Sequence, residues 1–476
     1  MPVRSRSARP AVLAIDIGTS SVRTALFDQR ARLIGRSKAS QDYRVRHAPD
    51  QAATLDPAIL LRATKKCLRQ TRSHLTKSDR AVVAGSGFWH SLLGIDPKSN
   101  PLTSVYTWAD ARSAADAARL REQFDERIIQ RRTGCLLRGS FWPAKLAWLR
   151  RTERELFRRV ARWVSPAEWV FEQLFGNRAC SHSMASGTGL YQLARGDWDE
   201  ELLAALGLTN SQLDPLQDRV ENKNTAIFAA IGDGAAGNLG SGATEPGVLA
   251  INVGTSAAVR TVASPNVQLP FGMFRFVIDV RRQLLGGAIS NAGSLRAWCL
   301  RELRLPNDER RIEKLLRERA KTEGRLTILP FWVSERAPSW PEHLSGTITG
   351  LTQATSAADL LVAAIAAPFH RLADVLRDLE KAVGRGARII VSGGIVQSPA
   401  SLQLLADSLG RELEVCAEQE ASLRGAAVHA LEQLGYDVPP PKIRKRVRPD
   451  PERHAVMRQQ AAQQRDLEQI LQTGAR

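Results

Sequence analysis

The chain has 476 residues, with 67 Lys and Arg against 49 Asp and Glu, a formal charge of +18. Apolar residues make up 43% and charged residues 24%, ordinary globular usage that excludes wholesale disorder and predicts two or three domains. Five Cys without a CxxC argue against a disulfide framework or a Cys-rich zinc site and point to a reducing compartment.

In chain order, residues 14–26 (AIDIGTSSVRTAL) read as two β-type runs joined by Gly18-Thr19-Ser20, a hairpin with a polar tip. A strand is expected at Arg80–Gly87, and helices at 111–130 and 142–162, the latter with Pro143 in its first turn. Residues 225–232 read as a strand running into a glycine-rich turn. Residues 250–262 (AINVGTSAAVRTV) then repeat the opening pattern, with Gly-Thr-Ser again at 254–256. A hairpin follows at 275–287, a helix at 293–305 and a long helix at 356–383 with Ser356 as its N-cap. Strands at 388–391 and 413–415 alternate with helices at 398–410 and 422–434. DVPPP, 437–441, reads as the end of the globular part. Beyond it, Leu467, Ile470 and Leu471 at helical spacing predict a docked helix. The alternation argues for α/β, and the repeated hairpin for a duplicated fold with two facing domains. The expected boundaries are 11–245, 246–440 and a basic helical tail at 441–476.

The positive charge is spread along helices and interleaved with acids, and no nucleic-acid-binding signature accompanies it, so no specific nucleic-acid partner is expected. No apolar run reaches the ~18 residues of a membrane span, and the basic opening MPVRSRSARP lacks the apolar stretch of a secretory signal. A cytoplasmic location is the expectation.

The candidate chemistry lies in a few motifs. Asp16, inside an otherwise apolar strand, is costly unless it faces a polar cleft, where it can serve Mg²⁺. The N–H and hydroxyl groups after Gly18 can cradle phosphate oxygens. Residues 232–240 contain a formal G-x-G-x-x-G. An Asp inside it and no acidic residue about twenty positions on argue against a dinucleotide site. The other reading makes Asp233 a general base at a helix N-terminus. Trp89-His90 at the end of a strand suits a sugar pocket, although a His beside aromatics is more often part of a core. The stretches 108–112 and 286–293 read similarly. Ser392-Gly393-Gly394 after a buried strand suits a nucleotide. No Walker P-loop occurs.

Nearly the whole chain resembles the FGGY family of carbohydrate kinases. The resemblance rests, in order, on DIGTSS, GDGAAGNLGSG, INVGTSAAVR, LPFWVSERAPSW, SGGIVQSPASLQLLADSLG and ASLRGAAVHA. WHSLL, TWADAR and SMASGTGLY are most similar to gluconokinases, and xylulokinases come next. The resemblance implies an actin-like ATPase (ribonuclease H-like) duplication, with ATP, Mg²⁺ and sugar in a cleft between two domains. It implies transfer of a phosphoryl group from ATP to a small sugar or sugar acid, gluconate becoming 6-phosphogluconate. It makes Asp233 the catalytic base in contact with substrate, and Asp16 the residue that organises Mg-ATP. Thr19, Ser20 and Thr255 match phosphate-contacting positions. Gly293, Gly394 and Ser398 match nucleotide-side positions, and Trp89 and His90 the sugar-contacting pair. The chain departs from the family pattern at Trp89, Ser334 and Ile395. A ketose kinase and a catalytically silent binding protein of the same fold stand as alternatives. The partners implied are ATP and a sugar, with no membrane, and a homodimer is compatible with the resemblance.

Overall fold

The run PAVLAIDI forms strand β1, Pro10–Ile17, in a computed structural model that describes residues 10–75, 80–222, 225–319 and 326–474. The basic N-terminal segment lies outside the described residues. Residues 11–15 and 17 are all buried, as a strand covered on both faces requires. β1 pairs antiparallel with β2, Ser21–Phe27, across the first Gly-Thr-Ser turn, and β2 pairs with β3, Ala39–Asp42. On its other side β1 runs parallel to β4, Arg80–Gly87. β5, Arg219–Asn222, and β6, Thr225–Phe228, complete the order β5-β6-β4-β1-β2-β3, with the short strand Ile231–Gly232 also on β4. Helix α1, Pro57–Arg72, is capped by Asp56 and buries Leu60, Thr64, Cys67, Leu68 and Thr71, an i, i+4 stripe.

Two expected long helices are broken. Residues 111–130 form Ala114–Gln123 and Glu126–Thr133, because Asp125 caps a new helix by accepting from Arg127 and Ile128 N–H. Residues 142–162 form α2, Trp142–Thr152, then Arg154–Arg159, and Arg162–Val164 is a buried strand. Helix α3, Asp233–Ser241, starts at the predicted base itself.

The second sheet repeats the first hairpin. β7, Val248–Val253, pairs antiparallel with β8, Ala257–Ala263. A hairpin of β9, Phe274–Asp279, and β10, Arg282–Ile289, precedes α4, Gly293–Glu302. The long helix α5, Ala357–Val383, begins with a capping box in which Ser356 and Asp359 satisfy each other's backbone N–H. Strand β11, Arg388–Ser392, runs parallel to β7, and α6, Pro399–Leu409, follows with Ser398 and Gly410 as its caps. β12, Leu413–Cys416, lies beside β11, and α7, Ala421–Gln433, follows it.

The segment after DVPPP is not a loose tail. Strand β13, Ile443–Val447, adds antiparallel to β12, its exposed Arg and Lys blunting the sheet edge. Helix α8, Pro451–Gly474, packs through Met457, Ala461, Gln464 and Glu468. The expected Ile470 is instead 64% exposed, and Leu467 and Leu471 are only half-buried. Polar partners account for the difference: Gln464 donates to the Ile328 and Ala367 carbonyls, and Glu468 accepts from Arg371 at 2.7 Å.

The chain divides into two compact units. The first comprises Met1–Gly242, Arg275–Leu284 and Glu420–Pro440, and the second comprises Ala243–Phe274, Leu285–Gln419 and Pro441–Arg476. The expected single block 246–440 therefore returns twice to the first unit. The second return follows from helix packing: an added Cβ on Gly425 of α7 would lie 1.7 Å from the Ala236 carbonyl of α3. One on Gly240 of α3 would lie 1.7 Å from the Ala421 carbonyl of α7. Glycine on both helices lets the two backbones touch. All five thiols are free and buried.

Candidate active site

Strand register brings the first group of side chains together. Asp16 faces Arg23 across the hairpin and Ser86 across the parallel pair. Ser86 donates to Asp16 Oδ1 at 2.6 Å, and Arg23 lies 3.8 Å from Oδ2. Arg23 also meets Glu420 at 3.3 Å, and Lys38 meets it at 2.7 Å. Burial raises the Asp16 carboxyl to about 6, against the lowering pull of Ser86 and Arg23, and the charges of Asp233 and Glu420 raise it further. Asp16 and Asp233 thus share one electrostatic neighbourhood. At the hairpin tip the Gly18 N–H bonds the Ser21 carbonyl at 2.9 Å, and Tyr43 donates its hydroxyl to the Gly18 carbonyl. Thr19 accepts from Trp108 Nε1 at 3.1 Å, while Ser20 is exposed.

Asp233 is half-buried at the first position of α3, where its Oδ1 accepts from the Gly234 N–H at 2.8 Å. Directly before it, Gly232 rests on the Trp89 indole; a Cβ there would come within 1.7 Å of the ring. Trp89 is 4% exposed, with Nε1 donating to the Ser183 carbonyl at 3.0 Å. It is a floor under Gly232, with little face left for a ligand. His90 is half-buried and has φ +66, a backbone region uncommon for residues other than glycine. Its Nδ1 bonds the Gly187 carbonyl, and its ring meets Phe141 edge-on at 4.8 Å and Phe276 at 5.5 Å. Asp110, in the stretch 108–112, is taken by Arg112 through contacts of 3.0 and 2.6 Å.

The second unit carries a separate pocket of about 580 Å³, lined in part by Thr255, Gly293, Arg296, Phe369, Gly394 and Ser398. Its floor is the second Gly-Thr-Ser turn, where the Gly293 N–H bonds the Gly254 carbonyl at 2.9 Å and Thr255 is exposed. A Cβ on Gly293 would sit 2.5 Å from that carbonyl. The glycine with a comparable demand in the Ser392-Gly393-Gly394 motif is Gly393, at φ +91, where a Cβ would lie 2.5 Å from the Val253 carbonyl, while Gly394 forms exposed wall. Ser398 is 7% exposed; its hydroxyl donates to Glu313 and accepts the Ser401 N–H at 3.2 Å, so it caps α6. Ile365 and Phe369 give the pocket an apolar side.

Sequence reasoning left several of these residues unassigned. Phe141, Lys145, Phe276 and Glu420 reach their places only through tertiary packing. Glu335, fully buried, accepts from Asn291 Nδ2 at 3.1 Å and from the Ser290 N–H, fixing the turn before Gly293. Its motif, Ser334-Glu335-Arg336, was visible in the sequence without a role.

Two family models match the chain in succession. The N-terminal domain of the FGGY family of carbohydrate kinases matches residues 11–249, and its C-terminal domain matches 249–433. The chain belongs to that family. A gluconokinase of Bacillus subtilis (strain 168) is 28% identical over 454 residues, covering 89% of this chain and 88% of the relative. Gluconate kinase from Lactobacillus acidophilus superposes with a TM-score of 0.87 at 23% identity, over 97% of this chain and 98% of that one. A ligand-bound xylulose kinase from the same organism has the same TM-score, identity and coverage. The fold is the actin-like ATPase fold in two α/β domains. No described helix is long and apolar enough to cross a membrane.

Proposed function

We propose that the protein phosphorylates gluconate at the expense of ATP, giving 6-phosphogluconate by in-line transfer. The observation that carries the reading is Asp233 at the start of α3, in the same electrostatic neighbourhood as the buried Asp16. Asp233 accepts the proton of the acceptor hydroxyl as that oxygen takes the γ-phosphoryl group. Its oxygen on the Gly234 N–H keeps the carboxylate oriented. His90 bonds sugar hydroxyls, and Trp89 acts from beneath, holding Gly232 and hence Asp233. Thr19, Ser20 and Thr255 offer hydroxyl and N–H groups to phosphate oxygens. Gly293, Gly394 and the N-terminal turn of α6 at Ser398 form the nucleotide side.

Mg²⁺ fits Asp16. Among the described residues no three His, Cys, Asp or Glu side chains form a metal-binding group. A single buried carboxylate, raised to about 6 with Arg23 only at 3.8 Å, suits a cation that arrives on phosphates and keeps most of its waters. When bound, Mg²⁺ supplies charge neutralisation on the phosphates. Asp16 anchors that charge through water or directly, and Ser86 fixes its orientation.

A neutral ketose acceptor is the second reading, favoured by the equal structural likeness to a xylulose kinase. The presence of both Asp16 and Asp233 weighs against a silent binding protein. ADP release across a panel of gluconate, D-xylulose, glycerol and related polyols tests all three. Turnover of gluconate well above the others is expected. Efficient D-xylulose phosphorylation with inert gluconate overturns the acceptor assignment, and no ADP release with any sugar overturns the kinase itself.

A further inference from the structure

Lys145 is a lysine where lysine is rarely found. It lies in the first turns of α2 and is 1% exposed; among the described residues no carboxylate lies at ion-pair distance, and the buried Asp110 acts on it only from farther off. Its ammonium points at backbone carbonyls: Gly139 at 3.1 Å, Ser140, and the outer-range contact to His90 at 3.5 Å. A buried ammonium whose hydrogen bonds all go to neutral carbonyls is a desolvation cost that an apolar side chain would avoid. Two neighbours on the same turn reach the same loop. The Phe141 ring stands edge-on to His90, and Trp142 Nε1 donates to the Ser91 carbonyl at 3.2 Å. Three side chains within five residues therefore converge on His90 and Ser91. His90 is also the residue whose φ of +66 must be maintained by its surroundings.

We propose that Lys145, with Phe141 and Trp142, is a positioning residue of the acceptor site, holding His90 in the backbone conformation that directs its ring at the sugar. The proposal rests on the reading that His90 contacts the acceptor. Lys145 fixes loop 139–140, that loop places the Phe141 ring, and the ring and the ammonium together restrain His90.

The test uses the full-length protein and whichever sugar the wild type phosphorylates best. Lys145→Met keeps the apolar stem and removes the ammonium. The expected result is an acceptor KM raised about tenfold or more, with the ATP KM within about twofold of wild type. Leu146→Ala, one residue on and fully buried, controls for simple loss of packing. It should lower Tm while leaving the acceptor KM near wild type. Should Lys145→Met not fold, Phe141→Leu replaces it, with a several-fold rise in acceptor KM expected. An unmoved acceptor KM in the folded variant, or an equal rise in Leu146→Ala, overturns the proposal. A wild type that phosphorylates no sugar sinks the kinase reading and this proposal together; a working wild type with unmoved variants sinks the proposal alone.

Discussion

Asp16 is ionised at neutral pH only against its surroundings. Its carboxyl is raised from 3.8 to about 6, chiefly by burial, so the folded state binds that proton more tightly than the unfolded chain does. The associated stability is present below about pH 4 and is lost as pH rises through 6, the loss reaching about 3 kcal/mol by pH 7.5. Asp16→Asn keeps the bond to Ser86 and removes this penalty. Without nucleotide, the variant should melt above wild type at pH 7.5 and level with it at pH 4, while its Mg²⁺-dependent turnover collapses and sugar binding persists. Melting curves at the two pH values check the first part; an unchanged Tm at pH 7.5 would contradict the buried-charge account. Asp233→Asn is the complementary case. It preserves shape and removes the proton acceptor, so turnover should fall by about 10²–10⁴-fold with ATP and sugar still bound. Near-normal turnover would take Asp233 out of its role.

At the scale of elements, α3 and α7 are the joint on which the placement of Asp233 depends. Their glycines allow backbone contact, and α3 begins at Asp233. Gly425→Ala would push a methyl to 1.7 Å from the Ala236 carbonyl, which only separation of the helices can relieve. Overpacking of that kind costs about 1–3 kcal/mol or more, and turnover should fall along with Tm. Gly237→Ala, on the facing helix α3, meets nothing nearer than Ser422 Oγ at 3.7 Å. It should be neutral or stabilising by up to about 1 kcal/mol, since alanine is the better helix former. Equal Tm losses in the two variants would show that glycine content, not close approach, matters. The hairpins were readable because their signal is local: a β run, Gly-Thr-Ser, a second β run. The division of 111–130 was not, because the apolar spacing carries on across Asp125 while the side chain of that residue starts a new helix.

At the scale of the molecule, the charge of +18 bears on what the protein binds. Many of its Arg residues are paired, as Arg162 with Glu172 and Arg388 with Glu414, yet the excess remains and favours anionic ligands. If the acceptor is a sugar acid, its affinity without nucleotide should fall as salt rises, since a Debye length of about 8 Å at 0.15 M screens exposed charge. A neutral ketose should bind almost independently of salt. Calorimetry of gluconate and D-xylulose over a salt series reads the difference, and a flat response for gluconate would detach the net charge from acceptor choice.

The residues alone determined the order of the motifs, the two hairpins, the α/β alternation and the identity of the acids. These rest on backbone conformation and side-chain chemistry within a dozen neighbouring positions, which sequence carries directly. The tertiary structure decided what those motifs stand on. It put Trp89 beneath Gly232, made Ser398 a helix cap bonded to Glu313, gave the positive-φ turn to Gly393, and turned the segment after DVPPP into a sheet edge and a docked helix. It also returned Glu420–Pro440 to the first unit. Each of these is a contact between residues far apart in the chain. Such contacts are set by which surfaces can close against one another without clash or an unpaired polar group, and no local pattern encodes that choice.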